Sequence, residues 1–259
     1  MIGGELGRAL TGRRGALVAA VAFAIGLAWR PAWASEPNAQ RVNHFVGAAS
    51  ESVAIQVPPF HGLEPRLSLA YSSEARNGFA GMGWSLTGFS VIERVNGAWG
   101  APQFSSSDVF TLDGQTLLEC VAAASSYPSC AAGGTHYTQQ ESYLRIKKIS
   151  DVLWEVYGKD GTKTEFAPIH TVPLYEGGPT YSLRLGQIRV TDTHGNVVNF
   201  NWIVNAENVN GATYPASVTY GADTIEFLRE PRPDGAVTRG AWNDIGRQPE
   251  RLRTIVVRK

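Results

Sequence analysis

From Glu51 onward the chain alternates apolar and polar residues with a period of two, and turn-forming pairs interrupt the alternation again and again. A period of two places every second side chain on one face of an extended strand, which a helix cannot satisfy. SVAIQVPPF alternates through Val53, Ile55 and Val57 and halts at Pro58-Pro59, which cannot continue a hydrogen-bonded ladder. RLSLAYSS does the same through Leu67, Leu69 and Tyr71, and SVIERV follows. Further on come four hairpin signals. They are Asp113-Gly114 inside VFTLDGQTLLE, Lys159-Asp160-Gly161, His194-Gly195-Asn196 and Gly221-Ala222-Asp223. The last residues, RLRTIVVRK, read as one more strand. No segment sustains apolar positions at i, i+3, i+4 and i+7 with caps. The expectation is therefore all-β: about a dozen strands in antiparallel hairpins, forming a sandwich, a barrel or a long curled sheet, with no helix after the leader.

The first 34 residues stand apart. Arg8, Arg13 and Arg14 precede the apolar run GALVAAVAFAIGLAW, and Ala32-Trp33-Ala34 fits a small-x-small cleavage site. The run is about 15 residues, against roughly 20 needed to span a bilayer, so a cleaved signal peptide (1–34) is expected rather than an anchor. Arg13-Arg14 lacks the flanking residues of twin-arginine export, and general secretion is the expected route. The membrane then matters only for export, and the expected location is extracellular. Residues 35–50 form a polar lead-in, and 51–259 the β domain. Without the leader the chain keeps 19 basic and 22 acidic side chains, a net charge of −3. No basic stripe is present, so nucleic acid is not an expected partner.

Cys120 and Cys130 are the only cysteines. An even count in an exported chain favours a disulfide, here across the small, turn-rich loop CVAAASSYPSC. No His, Lys or Arg lies between or beside them to lower a thiol pKa, which argues against a reactive cysteine.

A search for catalytic or metal-binding chemistry yields no candidate. The histidines (44, 61, 136, 170 and 194) are scattered, and neither HExxH, a CxxC pair nor a phosphate-binding glycine loop occurs. Gly83-Trp84-Ser85-Leu86-Thr87 departs from a nucleophile elbow at its last position and lacks the strand–turn–helix context. Asp192-x-His194-x-Asn196 lacks the glycine and closing glutamate of a calcium loop and reads better as a turn. No catalytic, metal or cofactor residue is expected, and the chain is expected not to be an enzyme. Trp154 and Trp202 sit in alternating strands and read as core. Trp99 and Trp242, among small and polar residues, are candidates for a surface contact such as sugar binding.

The least generic stretch is GFAGMGWSLTGFSVIERV, residues 78–95. Gly78 follows Asn77 and reads as a turn. Gly81 and Gly83 bracket Met82 just before Trp84, which suits a strand that bends sharply or lies against a large ring. Alternation resumes at Leu86, Val91, Glu93 and Val95, so the stretch is a structural bend, with Trp84 expected to cover glycines of its own or a neighbouring strand.

This order of residues resembles the opening of the SpvB / Tc-toxin B-subunit family, which belongs with the YD-repeat (RHS) shell proteins. Pro65, Leu67, Ser68, Leu69, Tyr71 and Ser73 match its P-x-L-S-L-x-Y-S/N-S strand. Asn77, Gly78, Gly81, Gly83, Trp84, Leu86, Ile92 and Arg94 match the bend and the I-x-R that follows. FTLDGQTLL, WEVYGKDGTKTEF, VTDTHGNVVNFNW, TYPASVTYG, FLREPRPD and RLRTIVV are similar to later landmarks, with Trp202 where tyrosine is usual. The resemblance runs from about residue 48 to the end. It implies the N-terminal part of an RHS-type β shell, which in Tc toxins encloses a toxic polypeptide. It also implies partnership with the remainder of such a shell or with a TcC-like subunit. SpvB proteins carry an ADP-ribosyltransferase at the far C-terminus, and this chain lacks its E-x-E motif. Family members are several times longer, so a front segment continued elsewhere is expected. The alternative is an exported carbohydrate- or surface-binding module of adhesin type. A hydrolase with its cleft near Ser85 is a weaker third.

Overall fold

The computed structural model describes residues 41–43, 47–97, 101–173, 178–204, 212–239 and 244–259. The leader, most of the lead-in, His44, Trp99 and Trp242 lie outside the described residues. From the first strand onward the chain is one compact unit, built almost wholly of antiparallel strands.

A small sheet comes first. It has the order β1 (Arg41–Asn43), β2 (Ala48–Ala54), β3 (Ser68–Ser72) and β6 (Trp84–Thr87). Between β3 and β6 lies a separate two-residue ladder, β4 (Asn77–Gly78) with β5 (Gly81–Met82).

The next eight strands close on themselves. They are β7 (Val91–Asn96), β8 (Asp108–Leu112), β9 (Gln115–Glu119), β10 (His136–Thr138), β11 (Arg145–Ser150), β12 (Leu153–Tyr157), β13 (Lys163–Pro173) and β14 (Thr180–Thr191). Each pairs with the next, and β14 pairs back to β7 through Arg184↔Glu93, Leu185↔Ile92 and Gly186↔Val91. The result is an up-and-down barrel without an open edge. Its interior is filled by Ile92, Leu112, Leu117, Ile146, Trp154, Val156, Phe166 and Leu185, contributed by seven of the eight staves. The remaining stave, β10, turns His136 inward onto the Trp154 ring, centroids 4.8 Å apart. Burial pushes the His136 pKa down to about 4, since the charged imidazolium would lose its water there.

β14 has a second role. Its last residues, Arg189–Thr191, pair with β15 (Val197–Ile203), which begins a meander through β16 (Tyr214–Tyr220), β17 (Asp223–Arg239) and β18 (Asp244–Arg258). The small sheet packs on this meander. Their shared core holds Leu67, Val198, Phe200, Val218, Tyr220, Ile225 and Phe227. Barrel and sandwich are thus joined through one continuous strand.

The four hairpin turns form where the glycines permit them, with Gly114, Gly161, Gly195 and Gly221 all at positive φ. Helical turns among the described residues are limited to η1 (Ala122–Ala124) and α1 (Pro128–Ala131), both inside the cysteine loop. Each is a single turn, too short to show the apolar periodicity of a helix. Pro128 begins the second because its fixed φ suits a helix start. No described helix is long and apolar enough to cross a membrane.

Candidate functional site: a clasped glycine hairpin

The chemistry-bearing residues gather where the glycine stretch meets the last ribbon. Asn77 and Gly78 face the segment Arg232-Pro233-Asp234 across 155 residues of sequence. Arg232 is 7% exposed. Its guanidinium donates to Asp234 (2.9 and 3.2 Å), to the Gly78 carbonyl (3.1 Å) and to Asn77 Oδ1. Asn77 Nδ2 closes the ring by donating to Asp234 Oδ2 at 2.5 Å. Arg232, then Asn77, hold the Asp234 carboxyl well below the usual carboxylate range. A buried guanidinium is tolerable because most of its donors are matched by charged or polar acceptors.

The ribbon makes room for this clasp. Pro231 pairs with Glu250 and Ala236 with Gln248, so four residues on β17 oppose one on β18. Pro233 and the opposing Pro249 lack the N–H groups a regular ladder would need there, which favours a wide bulge. The hairpin is held at two further points. Leu252 N donates to the Phe79 carbonyl at 2.8 Å, and the Phe79 ring packs on Tyr214 at 5.2 Å. Tyr214 in turn accepts the Glu250 N–H (3.0 Å) under the Arg229 guanidinium.

Gly81 and Gly83 have φ of +110° and +76°. A Cβ on Gly83 would lie 2.6 Å from the Tyr71 ring and 3.0 Å from the Ser72 carbonyl. The large ring against the glycine is therefore Tyr71, not Trp84, because the β3–β6 register sets Tyr71 opposite Trp84. Trp84 tilts against Tyr71 at 5.3 Å and lines an outer groove instead.

The other sequence landmarks likewise hold the fold. Asp113 accepts the Val91 N–H (2.8 Å) and the Ser90 hydroxyl (2.6 Å), fixing the start of β7. Asp192 accepts His194 N, Asn196 N and Asn196 Nδ2, closing the turn read above as a turn and not a calcium loop. Phe60 lies over Gly221 and against Tyr220, whose hydroxyl donates to the Pro58 carbonyl at 3.0 Å. Ser85 is exposed, and its hydroxyl donates to the Ala70 carbonyl on the neighbouring strand. His61 and His194 are exposed, while His136 and His170 are buried on different strands. Among the described residues no three His, Cys, Asp or Glu converge as a metal set.

Cys120 and Cys130 are joined, with Cα atoms 5.6 Å apart. The bond ties the end of β9 to α1, where buried Ser129 donates to Glu141 at 2.5 Å and accepts the Gly134 N–H. Trp154 is fully buried in the barrel. Trp202, partly buried, donates to the Gln187 carbonyl at 2.8 Å. The two halves of the Arg232 clasp, the Asn77-Gly78 turn and the FLREPRPD landmark, were each visible in sequence, but nothing local showed that they meet across 155 residues.

Fold and residue use define a β-structural module whose most distinctive side chains hold turns and strand junctions. The profile described as Salmonella virulence plasmid 65kDa B protein, SpvB, matches residues 43–219, and the chain belongs to that family. The mono(ADP-ribosyl)transferase SpvB of Salmonella typhimurium is 35% identical over 77 residues, 29% of this chain. The SpvB of Salmonella dublin matches to the same extent. The match spans only 13% of the length of each relative. Among solved structures, the N-terminal domain of SpvB from Salmonella typhimurium strain LT2 superposes with a TM-score of 0.59 at 17% identity, covering 79% of this chain and 86% of that one. The TcdB2-TccC3-TEV crystal structure gives 0.60 at 16%, covering 88% and 14%. The Photorhabdus luminescens Tc holotoxin pore gives 0.59 at 16%, covering 86% and 13%. At these identities the likeness establishes a common fold.

Proposed function

We propose that the chain is a non-catalytic segment of an exported toxin shell, a wall element that helps enclose or deliver a toxic polypeptide made elsewhere. The observation that carries this reading is the use of the family landmarks. Asn77, Gly83, Asp113, Asp192 and Arg232 are each engaged in a turn or a strand junction. A wall is built from such junctions, whereas a catalytic site needs groups aimed at a substrate. The likeness to a chain of the TcdB2-TccC3 structures supports the same reading and suggests the remaining shell or a TcC-like subunit as partner. The basic leader with its apolar run supports export.

The test is to purify the protein together with polypeptides encoded beside its gene and examine the product by electron microscopy and limited proteolysis. The expected result is a hollow particle that shields an enclosed polypeptide, with no ADP-ribosylation by this chain alone. A lone protein that binds glycans, or one that turns over NAD, would overturn the reading.

A further inference from the structure

We infer that Asn77 is a deamidation site which the Arg232 clasp holds shut, and that conversion of this one amide stops an opened clasp from closing again. The inference rests on the geometry of the clasp and is independent of the shell reading.

Asn77 is followed by Gly78, and the same dipeptide recurs at Asn96-Gly97 and Asn210-Gly211. In an Asn-Gly pair no Cβ shields the glycine nitrogen, so that nitrogen can attack the asparagine side chain. The bond from Gly78 N to Asn77 Cγ forms and the Cγ–Nδ2 bond breaks. The amide leaves as ammonia, taking up the proton that Gly78 N gives up. Water then opens the five-membered imide at one of its two carbonyls. Attack on Cγ leaves aspartate. Attack on the backbone carbonyl leaves isoaspartate, with the chain rerouted through Cγ and one carbon longer. The balance is one water consumed and one ammonia released.

The fold opposes the first step. Asn77 and Gly78 lie in the β4–β5 ladder, opposite Met82 and Gly81. Ring closure would have to rotate Asn77 out of this extended backbone and turn its Cγ onto the Gly78 nitrogen. Three hydrogen bonds resist that rotation. Asn77 Oδ1 accepts from Arg232 Nη2, Asn77 Nδ2 donates to Asp234 Oδ2 at 2.5 Å, and the Gly78 carbonyl accepts from Arg232 Nη1 at 3.1 Å. The first two fix the carboxamide and the third fixes the glycine. Arg232 is 7% exposed, so water competes poorly for its donors.

The hairpin is still the part of this junction that opens most readily. Its ladder has two residue pairs, Asn77 and Gly78 are half-buried, and the Asp234 side chain is 54% exposed. Elements with few buried contacts open locally at less cost than cores do. Conversion in the open state is one-way. Aspartate at position 77 sets a second carboxylate against Asp234 where Nδ2 had donated, and like charges in direct opposition repel. Isoaspartate lengthens the strand, so the pairs Asn77↔Met82 and Gly78↔Gly81 cannot both form.

The experiment incubates the purified chain at mildly alkaline pH in heavy-oxygen water and follows residue 77 by peptide mapping and mass spectrometry. The other two Asn-Gly pairs are read in the same digests. In the folded wild type Asn77 should convert about tenfold or more slowly than in the chain unfolded in urea, equivalent to an opening cost of about 1.4 kcal/mol or more. Arg232→Met should restore most of the lost rate at Asn77. Asp234→Ala, which removes only the exposed anchor, should restore part of it, and it carries the test if Arg232→Met does not fold. Val198→Ala opens a cavity in the sandwich core without touching the clasp and should leave Asn77 slow. Hydrogen exchange should show faster amide exchange over residues 78–83 in the converted chains. Equal rates in the folded and unfolded wild type, no acceleration by either clasp variant, or equal acceleration by Val198→Ala would overturn the inference. So would converted chains whose hairpin amides stay as protected as those of the wild type.

Discussion

A valine at position 83 would have to adopt φ near +76° while driving its Cβ to 2.6 Å from the Tyr71 ring. The backbone cost of the left-handed region is about 1–2 kcal/mol, and overpacking against the ring adds about 1–3 kcal/mol. Position 81 separates the two contributions. It also has positive φ, but a Cβ there meets nothing within 4 Å. Gly83→Val should therefore lower stability in urea by about 3 kcal/mol or more, and Gly81→Ala by clearly less. Equal losses would mean that the Tyr71 contact carries no weight and that only backbone conformation sets the need for glycine. The sequence made the glycines legible as a bend beside a large ring, because Gly spacing and Trp84 are local features. It did not reveal which ring. That depends on the β3–β6 register, which pairs residues 13 apart and is fixed by the sandwich core rather than by the stretch itself.

At the level of elements, the barrel carries a titratable group where its other staves carry apolar ones. His136 sits on Trp154, with Lys148 further opposing its charge and Glu119 favouring it. Its folded pKa is near 4 against an ordinary value of 6.5. The unfolded chain therefore binds the extra proton between those values, and stability must fall as pH drops from 6.5 to 4. The contribution is roughly 2–3 kcal/mol across that window. It is fully present above pH 6.5 and gone below 4. Urea titrations at several pH values should show this slope in the wild type. His136→Phe should lack it while still filling the space beside Trp154. An unchanged slope in the variant would place the acid sensitivity elsewhere. Period-two patterning made several strands readable in advance, and of the four glycine turns two, at Gly114 and Gly161, join neighbouring staves of the barrel. Barrel closure was not readable, because it rests on the β14–β7 pairing of residues about 90 apart. Nor was the second use of β14, since a shared strand looks no different from any other in sequence. The tryptophans put forward as surface contacts, Trp99 and Trp242, lie outside the described residues.

Over the whole molecule, the decisive fact is that Leu185 fills the barrel while Val190, five residues along the same strand, packs against the sandwich core. A break in β14 would expose both cores, so neither should unfold without the other. The clasp strengthens this coupling from the far side, because Arg232 ties the meander to the loop between β3 and β6. Fluorotryptophan labelling places reporters in both halves: Trp154 inside the barrel, and Trp202 against Phe89 at the sandwich. Their native resonances should disappear at one common urea midpoint, as expected for a single cooperative unit. Arg232→Met leaves Asp234 and Asn77 without their central donor at a cost of about 2–3 kcal/mol. It should move both midpoints down together, although Trp154 touches no part of the clasp. If the Trp202 midpoint fell while Trp154 kept its own, the barrel would be an independent folding unit and β14 a hinge between two domains. A common shift would mean that a junction at one end of the module is felt through its whole thickness, the mechanical property that the proposed role in a shell requires.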